Sequence, residues 1–153
     1  MADGLDEAEL VAWGVAVGRG WVEGSGGALV LALRGELGAG KSVLARAVAR
    51  GVGVTSPMPS PTFNLVFRYE AGGAEVYHVD LYRLEQEEDV WELGWRELGE
   101  GRQVVMIEWA GRADALLPVP RWDIHIEATA PDLRRVRCVP VGDPPAIPAP
   151  SAP

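Results

Sequence analysis

Lysine, cysteine, histidine and phenylalanine are all scarce in this chain of 153 residues: one Lys, one Cys, two His and two Phe. With a single cysteine, Cys138, no disulfide can close within the chain, and a reducing, cytoplasmic location is expected. Two histidines and one cysteine are too few for a zinc site of ordinary Cys/His composition. No apolar run approaches the 18 residues of a membrane span, so no membrane partner is expected. Met1–Glu7 is acidic and lacks a basic stretch leading into an apolar core, so no signal peptide is expected. Basic charge is also in deficit, with 14 Lys and Arg against 22 Asp and Glu, a net charge of −8. A general nucleic-acid-binding surface carries a basic footprint. Any RNA contact therefore needs a local patch or a partner.

Glycine, by contrast, is abundant, with 19 residues, and apolar residues make up 48%. Length and apolar content fit one globular domain with a sizeable core. The most informative glycines lie in Gly35-Glu36-Leu37-Gly38-Ala39-Gly40-Lys41-Ser42, which fits the P-loop pattern G-x-x-x-x-G-K-[ST]. An apolar run at 28–33 leads into it and a helical pattern leads out at 43–50, the context the motif requires. Glycines let backbone N–H groups close around phosphate oxygens, and the following helix adds its positive dipole end. Lys41 would reach the β- and γ-phosphates, and Ser42 would bind Mg²⁺. The bland alternative is an accidental glycine-rich turn. Lys41 argues against it: the only lysine stands where a compact ammonium is needed, and the other 13 basic residues are arginine.

Along the chain, residues 6–19 read as a helix, with Leu10, Trp13, Ala16 and Val17 at helical spacing. A strand at 28–33, the P-loop and a helix to about Arg50 follow, and Gly51 and Gly53 are expected to stop that helix. Thr55–Phe63 holds three prolines and is a semi-rigid loop. Two readings stand there: a plain connector, or a switch whose Ser60 or Thr62 hydroxyl faces the γ-phosphate or Mg²⁺. Phe63–Tyr69 and Glu75–Asp80 alternate and form an antiparallel ribbon across Ala71-Gly72-Gly73. Glu85–Glu100 is helical in tendency, broken near Gly94, with an acidic outer face and Trp91, Trp95 and Leu98 inward. Gln103–Glu108 reads as a buried parallel strand. A short helix at Arg112–Leu117 precedes strands at Trp122–Ala128 and Leu133–Val139. The domain spans 1–140; residues 141–153, rich in Pro and Ala, are expected to be a disordered tail, and removing 142–153 is expected to leave folding and ATPase activity unchanged.

A P-loop protein needs a second carboxylate at a strand end beside the loop. Val104–Glu108 supplies four apolar residues and an acid; Val76–Asp80 fits less well because His78 interrupts its apolar pattern. Glu108 is favoured for the metal and Asp80 for orienting or activating water, against the alternative that each is a solvated acid. His78 is read as a structural histidine, and Trp109 as a packing residue that shapes the site. The guanine-reading Asn-Lys-x-Asp signature is impossible, since the one lysine is in the P-loop, which leaves ATP as the default. Arg134 and Arg135 either reach a nucleotide or solvate an edge strand.

The ordered set of the P-loop, Ser60-Pro61-Thr62-Phe63, His78-Val79-Asp80-Leu81-Tyr82-Arg83-Leu84 and Ile107-Glu108-Trp109 resembles the TsaE family, from about residue 6 to 139. These are the small bacterial ATPases of tRNA threonylcarbamoyladenosine biosynthesis. The resemblance implies a P-loop NTPase-like α/β fold: a central, mostly parallel sheet with an antiparallel ribbon and flanking helices. It implies Mg²⁺-dependent ATP hydrolysis, slow and partner-stimulated, alongside TsaB and TsaD, which modify adenosine 37 of tRNAs reading ANN codons. tRNA is then met only through the complex. On this resemblance, Gly35, Leu37, Gly38, Ala39, Gly40, Lys41, Ser42, Val43 and Thr62 bind nucleotide. Ser42 and Glu108 hold Mg²⁺, and Asp80, Glu108 and Lys41 serve catalysis. The chain departs from the family pattern at Glu36 (usually Asp), at Ser42 and Val43 (usually two threonines) and at Leu10 (usually threonine). Two other classes remain open: a small-molecule or nucleotide kinase on the same P-loop, and a nucleotide-gated binding module with little catalysis.

Overall fold

Apolar runs with no polar face to offer water must be buried on both sides, and two of them form the middle of a sheet. β1 (Ala2–Leu5), β2 (Leu29–Arg34), β3 (Val66–Ala71), β4 (Ala74–Asp80), β5 (Gln103–Glu108), β6 (Arg121–Ala130) and β7 (Leu133–Val141) lie in the order β1-β7-β6-β2-β5-β4-β3. The two runs are β2 and β5, parallel neighbours. β4 joins β5, and β6 joins β2, both in parallel. The edges are antiparallel: β3 on β4, and β7 on β6 with β1 outside it. The structure is a computed structural model that describes residues 2–24, 26–58 and 65–150. The expected sheet with an antiparallel ribbon forms, parallel in its middle and antiparallel at both edges. The short strand β1 had no counterpart in the sequence reading. Among the described residues, no helix is long and apolar enough to cross a membrane.

Strand alternation divides the core into two layers. Leu29, Leu31, Leu33 and Met106 point to one face, which α1 (Glu7–Glu23) and α2 (Lys41–Val52) cover. Val30, Ala32, Val105 and Ile107 point to the other, covered by 3-10 segments at Glu87–Leu93, Trp95–Glu97 and Ala110–Leu116. α1 opens with a capping box: Glu9 N–H donates to Asp6 Oδ1 at 2.8 Å, and Asp6 N–H to Glu9 Oε1 at 3.3 Å. Cys138 is half-buried, and burial pushes its thiol up to about 11.

Three expectations are corrected. Gly51 does not stop α2; it lies inside the helix, where a Cβ would stand 2.2 Å from the Val15 carbonyl oxygen. The stop is Gly53, at φ +119°. The 85–100 region forms 3-10 segments split by Gly94 rather than α-helix. Trp91 points outward, 45% exposed: Val90 takes the buried position, and one residue further lies about 120° around a 3-10 turn. Trp95 and Leu98 do face inward.

The described part of the tail, 142–150, is not loose. The Trp122 indole donates to Pro145 O at 2.8 Å and the Trp13 indole to Pro148 O at 2.9 Å. Ile147 packs on the α1 side of the core. The composition suggested disorder, yet two indole N–H groups need acceptors and the proline-rich backbone has free carbonyls to offer. Strand β3 starts at Val66; Phe63 and Asn64 of the expected strand lie outside the described residues, as do Ser60 and Thr62.

Candidate nucleotide site

The parallel strands β2, β4 and β5 run the same way, so their carboxyl ends converge on one rim. The loop from Gly35 to Gly40 leaves β2 there and enters α2 at Lys41. Gly35 passes so close to β6 that a Cβ would stand 2.4 Å from the Ile126 carbonyl oxygen. Gly38 takes φ +80°, a left-handed turn that favours glycine. Leu37 sits at the loop apex, 81% exposed, and offers its backbone rather than its side chain.

Lys41 is 4% exposed and folds back under its own loop. Its Nζ donates to Gly35 O at 2.5 Å and Glu36 O at 3.0 Å, and lies 4.1 Å from the centre of the Trp109 ring. Burial pulls its pKa below the ordinary lysine value, partly offset by Glu108, Asp80 and Glu36. Trp109 takes a left-handed conformation, φ 57°, uncommon for a residue with a side chain. That turn directly follows Glu108, and the Trp109 ring also leans on Tyr82, with centroids 4.9 Å apart.

β4 and β5 pair in register, so Asp80 stands opposite Glu108. Glu108 is 3% exposed, yet its carboxylate is well partnered. Ser42 Oγ lies 2.9 Å from both of its oxygens, and the His78 Nε2–H donates to Oε2. A carboxylate can only accept, so the ring nitrogen facing it is the donor. Asp80 Oδ1 accepts from the Tyr82 N–H at 2.9 Å. Burial raises the Asp80 pKa above the usual carboxylate value; the Tyr82 N–H opposes this, Glu108 adds to it, and His78 and Lys41 oppose it.

The structure thus gathers the P-loop residues, Lys41, Ser42, Asp80 and Glu108 at one rim. Val43 lies in the first turn of α2 and lines a neighbouring cleft of about 440 Å³ with Glu7, Leu10, Gly40, Pro131 and Arg134. A second cleft, about 580 Å³, opens on the other side of the loop, with Arg34, His125, Arg135 and Arg137 in its wall. Two residues named from the sequence have partners that it does not show. His78 is a direct support of Glu108, and its signal was its place two residues before Asp80, on the same strand face. Arg134 reaches the P-loop from β7; no local signal separated it from an edge-strand arginine.

A family-wide profile described as "Threonylcarbamoyl adenosine biosynthesis protein TsaE" matches residues 6–136. The chain belongs to the TsaE family. The protein named tRNA threonylcarbamoyladenosine biosynthesis protein TsaE from Bacillus subtilis is 38% identical over 114 residues, 74% of this chain and 71% of that one. Its namesake from Treponema pallidum is 37% identical over 124 residues, 81% of this chain and 88% of that one. The crystal structure of Bacillus subtilis YdiB superposes with a TM-score of 0.68 at 27% identity, over 92% of this chain and 84% of that one. Within the TsaE family this chain is a P-loop nucleotide-binding protein.

Proposed function

We propose that this chain binds and hydrolyses ATP with Mg²⁺ as the energy-coupling subunit of tRNA threonylcarbamoyladenosine biosynthesis in the cytoplasm, acting with TsaB and TsaD. It meets tRNA only through that complex. The observation that carries the reading is the contact of Ser42 Oγ with both Glu108 oxygens at 2.9 Å, at the mouth of a P-loop. Ser42 Oγ and the Glu108 carboxylate are hard oxygen donors of the kind Mg²⁺ takes, and they would hold it there. Magnesium needs few protein ligands when phosphates and water complete its shell. When bound, it neutralises charge on the β- and γ-phosphates.

The chain's own residues do the rest. Backbone N–H groups of the P-loop cradle the phosphates. Lys41 exchanges its Gly35 and Glu36 carbonyl acceptors for phosphate oxygens. His78 keeps the Glu108 carboxylate aimed at Ser42. Asp80, held by the Tyr82 N–H, accepts a proton from the attacking water. Thr62 contributes a switch hydroxyl in this reading, and the cleft beside Gly40 and Val43 takes the nucleoside.

The test is phosphate release from ATP–Mg²⁺, with and without the TsaB–TsaD pair. Release without any acceptor, stimulated by the pair and lost in Lys41→Ala, Asp80→Ala and Glu108→Ala, is expected. Transfer of the γ-phosphoryl to a metabolite would make the protein a kinase. Unchanged turnover in the two acid variants would leave it a binding module.

A further inference from the structure

Arg134 is the second residue of β7, far from the P-loop in sequence, yet its guanidinium bridges the two. Nη1 faces the β6–β7 turn and lies 3.1 Å from Leu133 O, 3.3 Å from Pro131 O and 3.5 Å from Ala130 O. The opposite edge faces the P-loop: Nε donates to Ala39 O at 2.7 Å, and Nη2 to Gly38 O at 3.3 Å. The hairpin turn thus fixes the orientation of the planar fork, and the fork holds two consecutive carbonyls of the phosphate loop.

A trans peptide is planar, with its C=O and N–H pointing opposite ways. Drawing the Ala39 carbonyl toward Arg134 therefore turns the Gly40 N–H away from it. A charge-assisted hydrogen bond to the carbonyl also polarises the amide and leaves its N–H more positive. The Gly38 carbonyl does the same for the Ala39 N–H, which bonds Glu36 O at 3.0 Å within the loop. Lysine cannot replace this device, because a lone ammonium lacks the rigid fork that grips the turn and the loop together.

We propose that Arg134 is a positioning residue that sets and polarises the Gly38–Ala39 and Ala39–Gly40 peptides for phosphate binding. It acts through the backbone, without contacting the nucleotide's phosphates. The inference rests on the P-loop being the nucleotide site.

The test titrates the full-length protein with ADP by calorimetry, in EDTA so that the metal-side residues are silent. Arg134→Gln is expected to weaken ADP about tenfold or more, a loss on the scale of one charge-assisted hydrogen bond. The Gly40 amide ¹⁵N resonance should move upfield as its carbonyl partner loses the guanidinium. Arg134→Lys keeps charge and stem, guards against a Gln variant that fails to fold, and should show an intermediate loss. Wild-type affinity in either variant, or a lowered melting temperature with the Gly40 resonance and ADP affinity unmoved, would reduce Arg134 to a structural tie. That result would leave the nucleotide reading standing. A wild-type protein that binds no ADP would overturn both.

Discussion

Asp80 carries a folding cost at the position where we propose that it serves hydrolysis. Burial makes its charged form costly, so the folded protein holds that proton to a higher pH than the unfolded chain does. A raised carboxylate pKa contributes stability below the unfolded value, and this is lost as pH rises through the folded value. Asp80→Asn keeps an oxygen for the Tyr82 N–H and removes the titration. It should therefore melt higher than the wild type at pH 7, with the gap closing as pH falls below about 3.8, the ordinary carboxyl value for Asp. Thermal melts across that range decide it; an equal gap at both ends would show that the charge at 80 costs nothing. The same substitution should abolish hydrolysis, the usual trade between stability and activity. At this scale the sequence was informative where chemistry is local. That Lys41, Ser42, Asp80 and Glu108 meet at one rim is legible from motif and strand ends. His78 was seen but read as structural, because its partner lies on another strand, 30 residues away.

Among the elements, the pair α1–α2 shows what glycine placement means. Gly14, Gly18 and Gly51 let the two helices meet backbone to backbone; a Cβ on Gly18 would stand 2.2 Å from the Val48 carbonyl oxygen. That oxygen belongs to a helix and cannot swing aside. Gly18→Ala should cost about 1–3 kcal/mol through overpacking, which lowers the melting temperature by about 2–4 °C per kcal/mol in a domain of this size. Gly20, on the same helix, has nothing within 4 Å of its Cβ position. Gly20→Ala should raise stability by about 0.5–1 kcal/mol. Calorimetry of the two variants separates the effects, and a matched response would refute the close approach. The strand, loop and helix around Lys41 were readable because period and punctuation are local signals. The role of Gly51 was not: a glycine near a helix end looks the same whether it stops the helix or admits a neighbour.

Across the whole molecule, the largest departure from composition is the C-terminal stretch. Residues 142–150 accept hydrogen bonds from Trp13 and Trp122 and place Ile147 against the core. Deleting 143–153 should cost about 1 kcal/mol for each indole left without its acceptor. A melting temperature lowered by several degrees is expected, and an unchanged one would return the stretch to the passive tail that its prolines suggested. Trp13 fluorescence should report the same loss.

Reading the residues in order was enough for the parallel core, the phosphate loop and the two acids, because hydrophobic period, glycine punctuation and motif spacing act within one element. It was also enough to rule out a disulfide and the guanine signature, since those follow from counting single residues. Folding alone could settle which remote groups support the site. His78 on Glu108, Arg134 on the P-loop carbonyls and the tail on two tryptophans depend on strand order and register, which bring together residues that no local pattern links. Register made the difference: one residue of slip in β4 or β7 would send His78 or Arg134 to the opposite face of the sheet.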